Sequence, residues 1–383
     1  MTRHPHYEPK PLFEERMIKL LGEQEYKEKF MKIIRTSPPK YIRCNTLKIS
    51  PAELKKRLEE KNWIIDQPYK DYPEIMIVEG KKFSDSHNKI EDKINASVIN
   101  SPSVGAGERL HETSSGGWAG NKIIASANAS RGGIGSEQLS PGELGKSIEH
   151  LLGYYYVQEM SSMLSIIALK PKPNEFMFDL CAAPGSKTTQ AAAEMKNTGT
   201  IIANDKAIDR LTILASNLER CGVSNTILTK KDGVQLCNGL KGKNWEKKFD
   251  KILVDAPCSG EGTLRTSPKT FLMWNLDAIK SMSRVQKKLV ASALPLLKKG
   301  GEFLYSTCTH TPEEDEEVVD FILKNFPVEI EKVELPIKSR PGITEWNEKV
   351  FDERVKFAHR IYPQDNNTEG FFLAKFKLLE EIK

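Results

Sequence analysis

No pair of the six cysteines, at positions 44, 181, 221, 237, 258 and 308, has C-x-x-C spacing, so no zinc site or other metal centre is expected. Nor does any apolar run approach the roughly 20 residues that a membrane span needs. Met1-Thr2-Arg3-His4-Pro5 lacks the apolar core of a signal peptide. A cytoplasmic protein without structural disulfides or membrane contact is therefore expected. One-sided charge is missing too. The 383 residues carry 57 Lys and Arg against 52 Asp and Glu, a balance that admits an anionic partner without requiring one.

Residues 84–142 are poor in large side chains: Trp118 is the only aromatic, and 31 of the 59 residues are Ser, Gly, Ala or Asn. Such a stretch cannot bury enough surface to offset its ordering entropy and reads as a flexible low-complexity insertion. It separates residues 1–83 from residues 143–383. In the first part, Leu12, Phe13, Met17, Leu20 and Leu21 recur at helical spacing, and Phe30, Ile33 and Ile34 suggest a second helix. Residues 41–45 read as a strand. Ser50-Pro51-Ala52-Glu53 then starts a helix with a serine cap, an early proline and a glutamate at the third position. A small α+β module is expected there.

From Leu144 onward, apolar strands (176–180, 200–204, 226–229, 249–254 and 302–306) alternate with helical patterns such as Leu211, Leu214 and Leu218. Continuous apolar strands between helices predict an α/β fold, with a parallel sheet covered on both faces. Ligands in such folds sit at the carboxyl ends of the strands. The first strand ends in Asp179-Leu180-Cys181-Ala182-Ala183-Pro184-Gly185-Ser186-Lys187. Its small residues let backbone approach a ligand, and the helix start offers free N–H groups. The loop is neither a G-x-G-x-x-G nor a Walker loop, which argues against NAD and ATP. Asp205 ends the second strand, where a carboxylate can accept from both ribose hydroxyls or cap the next helix. Asp232 follows the third strand and can accept from an adenine amino group or simply form a turn. Together these features describe an adenosine pocket without pyrophosphate, which fits S-adenosylmethionine.

The two remaining strand ends each carry a cysteine, Cys258 in Asp255-Ala256-Pro257-Cys258-Ser259-Gly260 and Cys308 in Ser306-Thr307-Cys308-Thr309. A thiolate can add to an electron-poor carbon and leave again. Two of them suggest a covalent intermediate that needs help to form and to break, and their spacing does not decide which one attacks.

The runs 179–187, 255–262 and 305–309 resemble the motifs of the Sun/Fmu-type (NSUN) RNA cytosine-5 methyltransferases, most nearly the compact archaeal tRNA enzymes. Arg43-Cys44-Asn45-Thr46, residues 150–159 and residues 370–374 are similar to that family as well. The resemblance covers about residues 10–80 and 143–380, and the 84–142 stretch departs from it. It implies a Rossmann-like class I methyltransferase domain with a mostly parallel seven-stranded sheet, preceded by an RNA-binding module. It also implies S-adenosylmethionine as cofactor and carbon 5 of an RNA cytosine, foremost in tRNA, as target. Cys308 is then the nucleophile at carbon 6, Cys258 assists release, and Asp255 lies near N3 and borders the cofactor. Arg210 matches a cofactor-site arginine or is only a solvated helix-surface residue, Lys187 orients Asp255 or the base or faces solvent beside the helix start, and Arg43 and Asn45 are expected on the RNA. The acidic run 313–317 reads as a helix start that the dipole favours without any ligand. A monomer is expected. The rival readings are a ribosomal RNA methyltransferase, a DNA cytosine-5 methyltransferase attacking through Cys258, and a non-catalytic RNA-binding assembly factor.

Overall fold

In the computed structural model, which describes residues 7–82, 136–137, 139, 142–241, 243, 245 and 247–382, the chain opens with α1 (Pro11–Leu21). Pro11 sits at the first turn, where its missing N–H is no loss. A second helical run follows over 23–33. Phe13, Met17, Tyr26 and Phe30 of these helices share a core with Leu264, Phe271, Trp274 and Ile279. The ring of Phe13 meets Phe271 and Trp274 edge-on at 5.3 and 5.6 Å. The first helices therefore pack against the distant second half of the chain, in a cluster separate from the strands that follow them in sequence.

Those strands are β1 (Lys40–Cys44), β2 (Trp63–Asp66) and β3 (Ile75–Lys82), with α2 (Pro51–Glu59) between the first two. Ser50 caps α2 by accepting from Glu53 N at 3.2 Å, as its motif predicts. β3 also pairs with β4 (Ser136–Glu137). The expected insertion otherwise lies outside the described residues, except for 139 and 142. The sheet runs β2-β3-β1-β5, and its last strand, β5 (Tyr155–Val157), comes from beyond residue 143.

The second sheet follows. α3 (Met160–Leu169) precedes β6 (Phe176–Asp179), α4 (Ser186–Glu194), β7 (Thr200–Asp205), α5 (Ile208–Cys221), β8 (Thr226–Lys230) and α6 (Gly233–Leu240). Then come β9 (Phe249–Asp255), α7 (Leu276–Ala293), β10 (Leu297–Thr307), α8 (Glu316–Asn325), β11 (Val328–Glu331), β12 (Arg340–Pro341), β13 (His359–Ile361) and β14 (Phe371–Leu378). The order is β12-β13-β14-β10-β9-β6-β7-β8, with β11 also on β14. β8, β7, β6, β9 and β10 are parallel, and β14 is antiparallel to β10. Nine strands thus stand where seven were expected, because the short β12 and β13 extend the edge beyond β14. Alternation along the strands feeds two cores. Phe178, Ile252, Val254, Phe303 and Tyr305 face one, and Met177, Leu253 and Leu304 face the other, as period-two side chains in a doubly covered sheet must.

Arg43 and Asn45, expected on the RNA, are both buried and bonded within the chain. Arg43 is 3% exposed. Its guanidinium donates to Ser186 O and Thr189 Oγ1, each at 2.9 Å, and lies over the Tyr156 ring. Burial lowers its pKa to about 10. Asn45 Nδ2 donates to Gly153 O and Cys221 O, both at 2.8 Å. Both residues tie the first sheet to the second and have no free surface for a phosphate. Replacing Arg43 or Asn45 with Ala leaves buried acceptors unpaired, which should cost about 2–4 kcal/mol each in urea unfolding. The salt dependence of RNA binding by the folded variants should stay that of the unsubstituted protein.

Candidate active site

Parallel pairing places the carboxyl ends of β6, β9 and β10 side by side. Asp255 is in register with Ser306, and Asp179 with Leu253. Here a cavity of about 270 Å³ is lined by Asp179, Cys181 to Pro184, Ser186, Lys187, Asp255 and Cys308, together with Thr263, Thr266, Glu369 and Phe371. The sequence-predicted loop and three of its chemical groups therefore meet in one place.

Asp255 is held from two sides. Ser306 Oγ donates to its Oδ1 at 2.8 Å, and Lys187 Nζ donates to its Oδ2 at 2.8 Å. Lys187, which sequence left between orienting Asp255 and facing solvent, is buried. Its ammonium also donates to Ser162 Oγ at 3.0 Å and lies 5.4 Å from the Phe371 ring centroid. The carboxylate and the ammonium are thus fixed as a pair, within reach of whatever fills the cavity.

Cys258 Sγ and Cys308 Sγ are 3.3 Å apart, and neither is in a disulfide. The contact with Cys308, backed by burial, pushes the Cys258 thiol well above its usual range. Two thiolates that close would repel, so the pair holds one negative charge at most near neutrality. Only Cys308 lines the cavity.

Two glycines allow this approach. Gly262 N donates to Cys308 O at 2.9 Å, and Gly370 N donates to Gly262 O at 2.8 Å. A Cβ on Gly262 would lie 2.4 Å from Gly370 O, and one on Gly370 would lie 2.2 Å from His310 Nε2. No larger residue fits at either position.

The acidic run 313–317, which dipole compensation alone explains in the sequence, is a buried lattice instead. Glu313 pairs with Arg16, and Glu314 accepts from Ser259 N and Gln286. Thr307 Oγ1 donates to Asp315 at 2.6 Å, and Glu316 pairs with Arg360. α8 begins only within it, at Glu316.

Asp205, Arg210 and Asp232 lie outside the lining of the cavity. Asp205 Oδ1 accepts from Ala207 N at 3.0 Å, and its Oδ2 lies 3.6 Å from the Arg210 guanidinium. Arg210, half-exposed, donates to Ala183 O and so braces the loop. Asp232 is exposed and caps α6 through Gln235 N at 3.1 Å. Cys181 is partly buried, and burial pushes its thiol up. Among the described residues, no group of three or more His, Cys, Asp or Glu could hold a metal ion.

A family model described as 16S rRNA methyltransferase RsmB/F matches residues 166–377. The chain belongs to this RsmB/F family. Among curated RsmB/F relatives, the tRNA (cytosine(49)-C(5))-methyltransferase of Pyrococcus abyssi is 45% identical over 233 residues, which is 61% of this chain and 73% of the relative. The 28S rRNA (cytosine-C(5))-methyltransferase of Mus musculus is 40% identical over 238 residues, 61% of this chain but 29% of that longer protein. Two solved structures superpose along nearly the whole chain. A methyltransferase homolog protein from Pyrococcus horikoshii has a TM-score of 0.71 at 31% identity, covering 96% of this chain and 95% of its own. NSun6 from the same organism, solved with SFG, has a TM-score of 0.71 at 28% identity, with 97% and 98% covered.

Sequence reasoning gave no role to several residues of this RsmB/F site. Glu159 Oε2 accepts from Ser161 N at 2.6 Å and its Oε1 accepts from Glu369 N at 3.0 Å, joining the start of α3 to the segment before β14. Glu369 Oε1 in turn accepts from Thr266 N at 2.9 Å. The only signal was that Glu159 and Gly370 stand in runs similar to the family. Asp179, Glu314 and Glu369 are each raised by burial to about 7. Between about pH 4.5 and 7 the folded chain therefore binds more protons at these sites than the unfolded chain. Their contribution to stability should fall as pH rises through that window and level off above it. A urea series from pH 5.5 to 8 tests this, and Asp179→Asn should flatten part of the decline.

Proposed function

We propose that this RsmB/F protein transfers a methyl group from S-adenosylmethionine to carbon 5 of a cytosine in tRNA. The observation that carries the reading is the pair of thiols 3.3 Å apart, of which Cys308 lines a cavity that also holds the Lys187–Asp255 pair.

The residues fit the cofactor. Asp179 is buried, and its Oδ1 has no partner among the described residues, a position suited to an ammonium donor such as the α-amino group of a methionine moiety. Cys181 to Gly185 offer a backbone wall without bulk, and Asp205 an acceptor for ribose hydroxyls. S-adenosylmethionine, when bound, supplies an electrophilic methyl group. The structure of NSun6 from Pyrococcus horikoshii with SFG supports this choice.

Carbon 5 of cytosine is too weak a nucleophile to take a methyl group from a sulfonium unaided. Cys308, the cysteine that lines the cavity, adds to carbon 6 and makes carbon 5 enamine-like. Asp255, fixed by Ser306 and Lys187, faces N3, and the Lys187 ammonium supports the charge that develops on the ring. After transfer water takes the carbon-5 proton, the electrons of that bond restore the carbon 5–carbon 6 double bond, and the carbon 6–sulfur bond breaks with its electron pair going to the Cys308 sulfur. Cys258 Sγ lies 3.3 Å away, so its S–H can donate to the departing sulfur. The target base must be unpaired or flipped out, at a cost of a few kcal/mol. The Pyrococcus abyssi relative, named for tRNA and matched at 45% identity, favours tRNA over ribosomal RNA. Arg43 and Asn45 take no part in holding it.

Labelled cofactor, total tRNA and ribosomal RNA, with mapping of 5-methylcytosine, test the proposal. Label should enter tRNA at cytosine carbon 5. Cys308→Ala should lower transfer by about 10³-fold or more. Cys258→Ala should accumulate a protein–RNA adduct that survives denaturation. Full activity in Cys308→Ala, or label confined to ribosomal RNA, contradicts the reading.

A further inference from the structure

We propose that Glu314 is a positioning residue that holds the Cys258 thiol in place for release of the methylated product. The inference rests on the cysteine roles proposed above and adds a residue to them. Glu314 has no exposed surface. Its Oε2 and Oε1 accept from Ser259 N at 3.1 and 3.3 Å. Oε2 also accepts from Gln286 Nε2 at 2.7 Å, and that amide donates at the same time to Pro257 O at 2.9 Å. The peptide groups on both sides of Cys258 are therefore pinned, one directly by Glu314 and the other through Gln286.

The same residue is anchored to the strand that carries the other thiol. The buried Tyr305 hydroxyl on β10 donates to Glu314 O, and Tyr305 precedes Cys308 by three residues. A second tie, Ser259 Oγ to Thr309 Oγ1 at 2.8 Å, runs between the same two loops. Glu314 thus holds the Cys258 loop by its carboxylate and the Cys308 strand by its main-chain oxygen, and together with the Ser259–Thr309 tie it sets the register in which the sulfurs lie 3.3 Å apart. Desolvation pushes its carboxyl up to about 7, and the bonds from Ser259 and Gln286 oppose that rise.

Release is the sensitive step. Attack needs Cys308 alone, whereas release needs Cys258 beside it, and misplacing a reacting group by about 1 Å can cost about 10²-fold. A residue that served only stability would slow attack and release together.

The experiment uses the full-length protein with Glu314→Ala, Glu314→Gln and, as a milder cut of the same bracket, Gln286→Ala. Two readouts are taken. In the first, RNA and methyl-labelled cofactor give separate rates of adduct formation and of product release. In the second, without RNA, the oxidant diamide takes the two thiol hydrogens as a Cys258–Cys308 bond forms, followed by mass spectrometry. Glu314→Ala should form adduct within about threefold of the normal rate yet release it about tenfold more slowly, and its thiol cross-linking should slow about tenfold. Gln286→Ala should shift both in the same direction. Glu314→Gln, which keeps an oxygen acceptor for Ser259 N, should recover most of the release. An equal fall in formation and release, or cross-linking that is unchanged in both Ala variants, overturns the positioning role. Absence of both adduct and product in the unsubstituted protein with every RNA would overturn the cysteine roles instead, which the cross-linking rate distinguishes.

Discussion

The parallel pairing of β9 with β10, with Asp255 opposite Ser306, makes a pair of two cysteines fifty residues apart. Everything chemical in the site follows from that register. It lets Ser306 hold one oxygen of Asp255 while Lys187 holds the other, and it brings the Cys258 and Cys308 loops beyond the strand ends into contact. A slip of one residue would turn Ser306 to the opposite face of the sheet and carry Cys308 away. The register is guarded by burial: Ile252, Leu253, Val254, Phe303, Leu304 and Tyr305 have no exposed surface, so a slip would set large side chains against the wrong core.

Behind the two loops lies a layer of buried charge. Arg360 donates to Glu316 and to His310 O, two residues past Cys308. The buried His310 ring stacks on Tyr362 at 4.8 Å. Buried ion pairs add little net stability, yet removing one partner costs about 3–5 kcal/mol. Their value here is directional. Each fixes a peptide group of a loop that has no regular secondary structure to fix it.

The methyltransferase sheet was legible in the sequence because its strands are short, apolar and separated by amphipathic helices. That loop 181–187, Asp255 and both cysteines would lie close together was legible because they stand at the strand ends. The division of roles between the cysteines was not legible from spacing and came only with the family resemblance; the structure adds that Cys308, and not Cys258, lines the cavity. Arg43 and Asn45 look like surface polar residues in a strand, and only the three-dimensional structure shows carbonyls of distant segments waiting for them. Glu313 to Glu317 misled in the same way. A run of acids reads as a solvated helix start until its partners, Arg16, Gln286 and Arg360, arrive from elsewhere in the chain. The placement of α1 against Phe271 and Trp274 was hidden for the same reason, since periodicity shows an apolar face but not what covers it.

The most direct test of the central claim is to name the sulfur that bonds to the base. A tRNA carrying 5-fluorocytidine cannot lose its carbon-5 substituent as a proton, so an adduct formed with cofactor present should stay trapped. Protease digestion and mass spectrometry of that adduct should find the nucleotide and its added methyl group on Cys308. Attachment to Cys258, or methyl transfer to ordinary tRNA with no trapped adduct on the fluorinated one, would contradict the account.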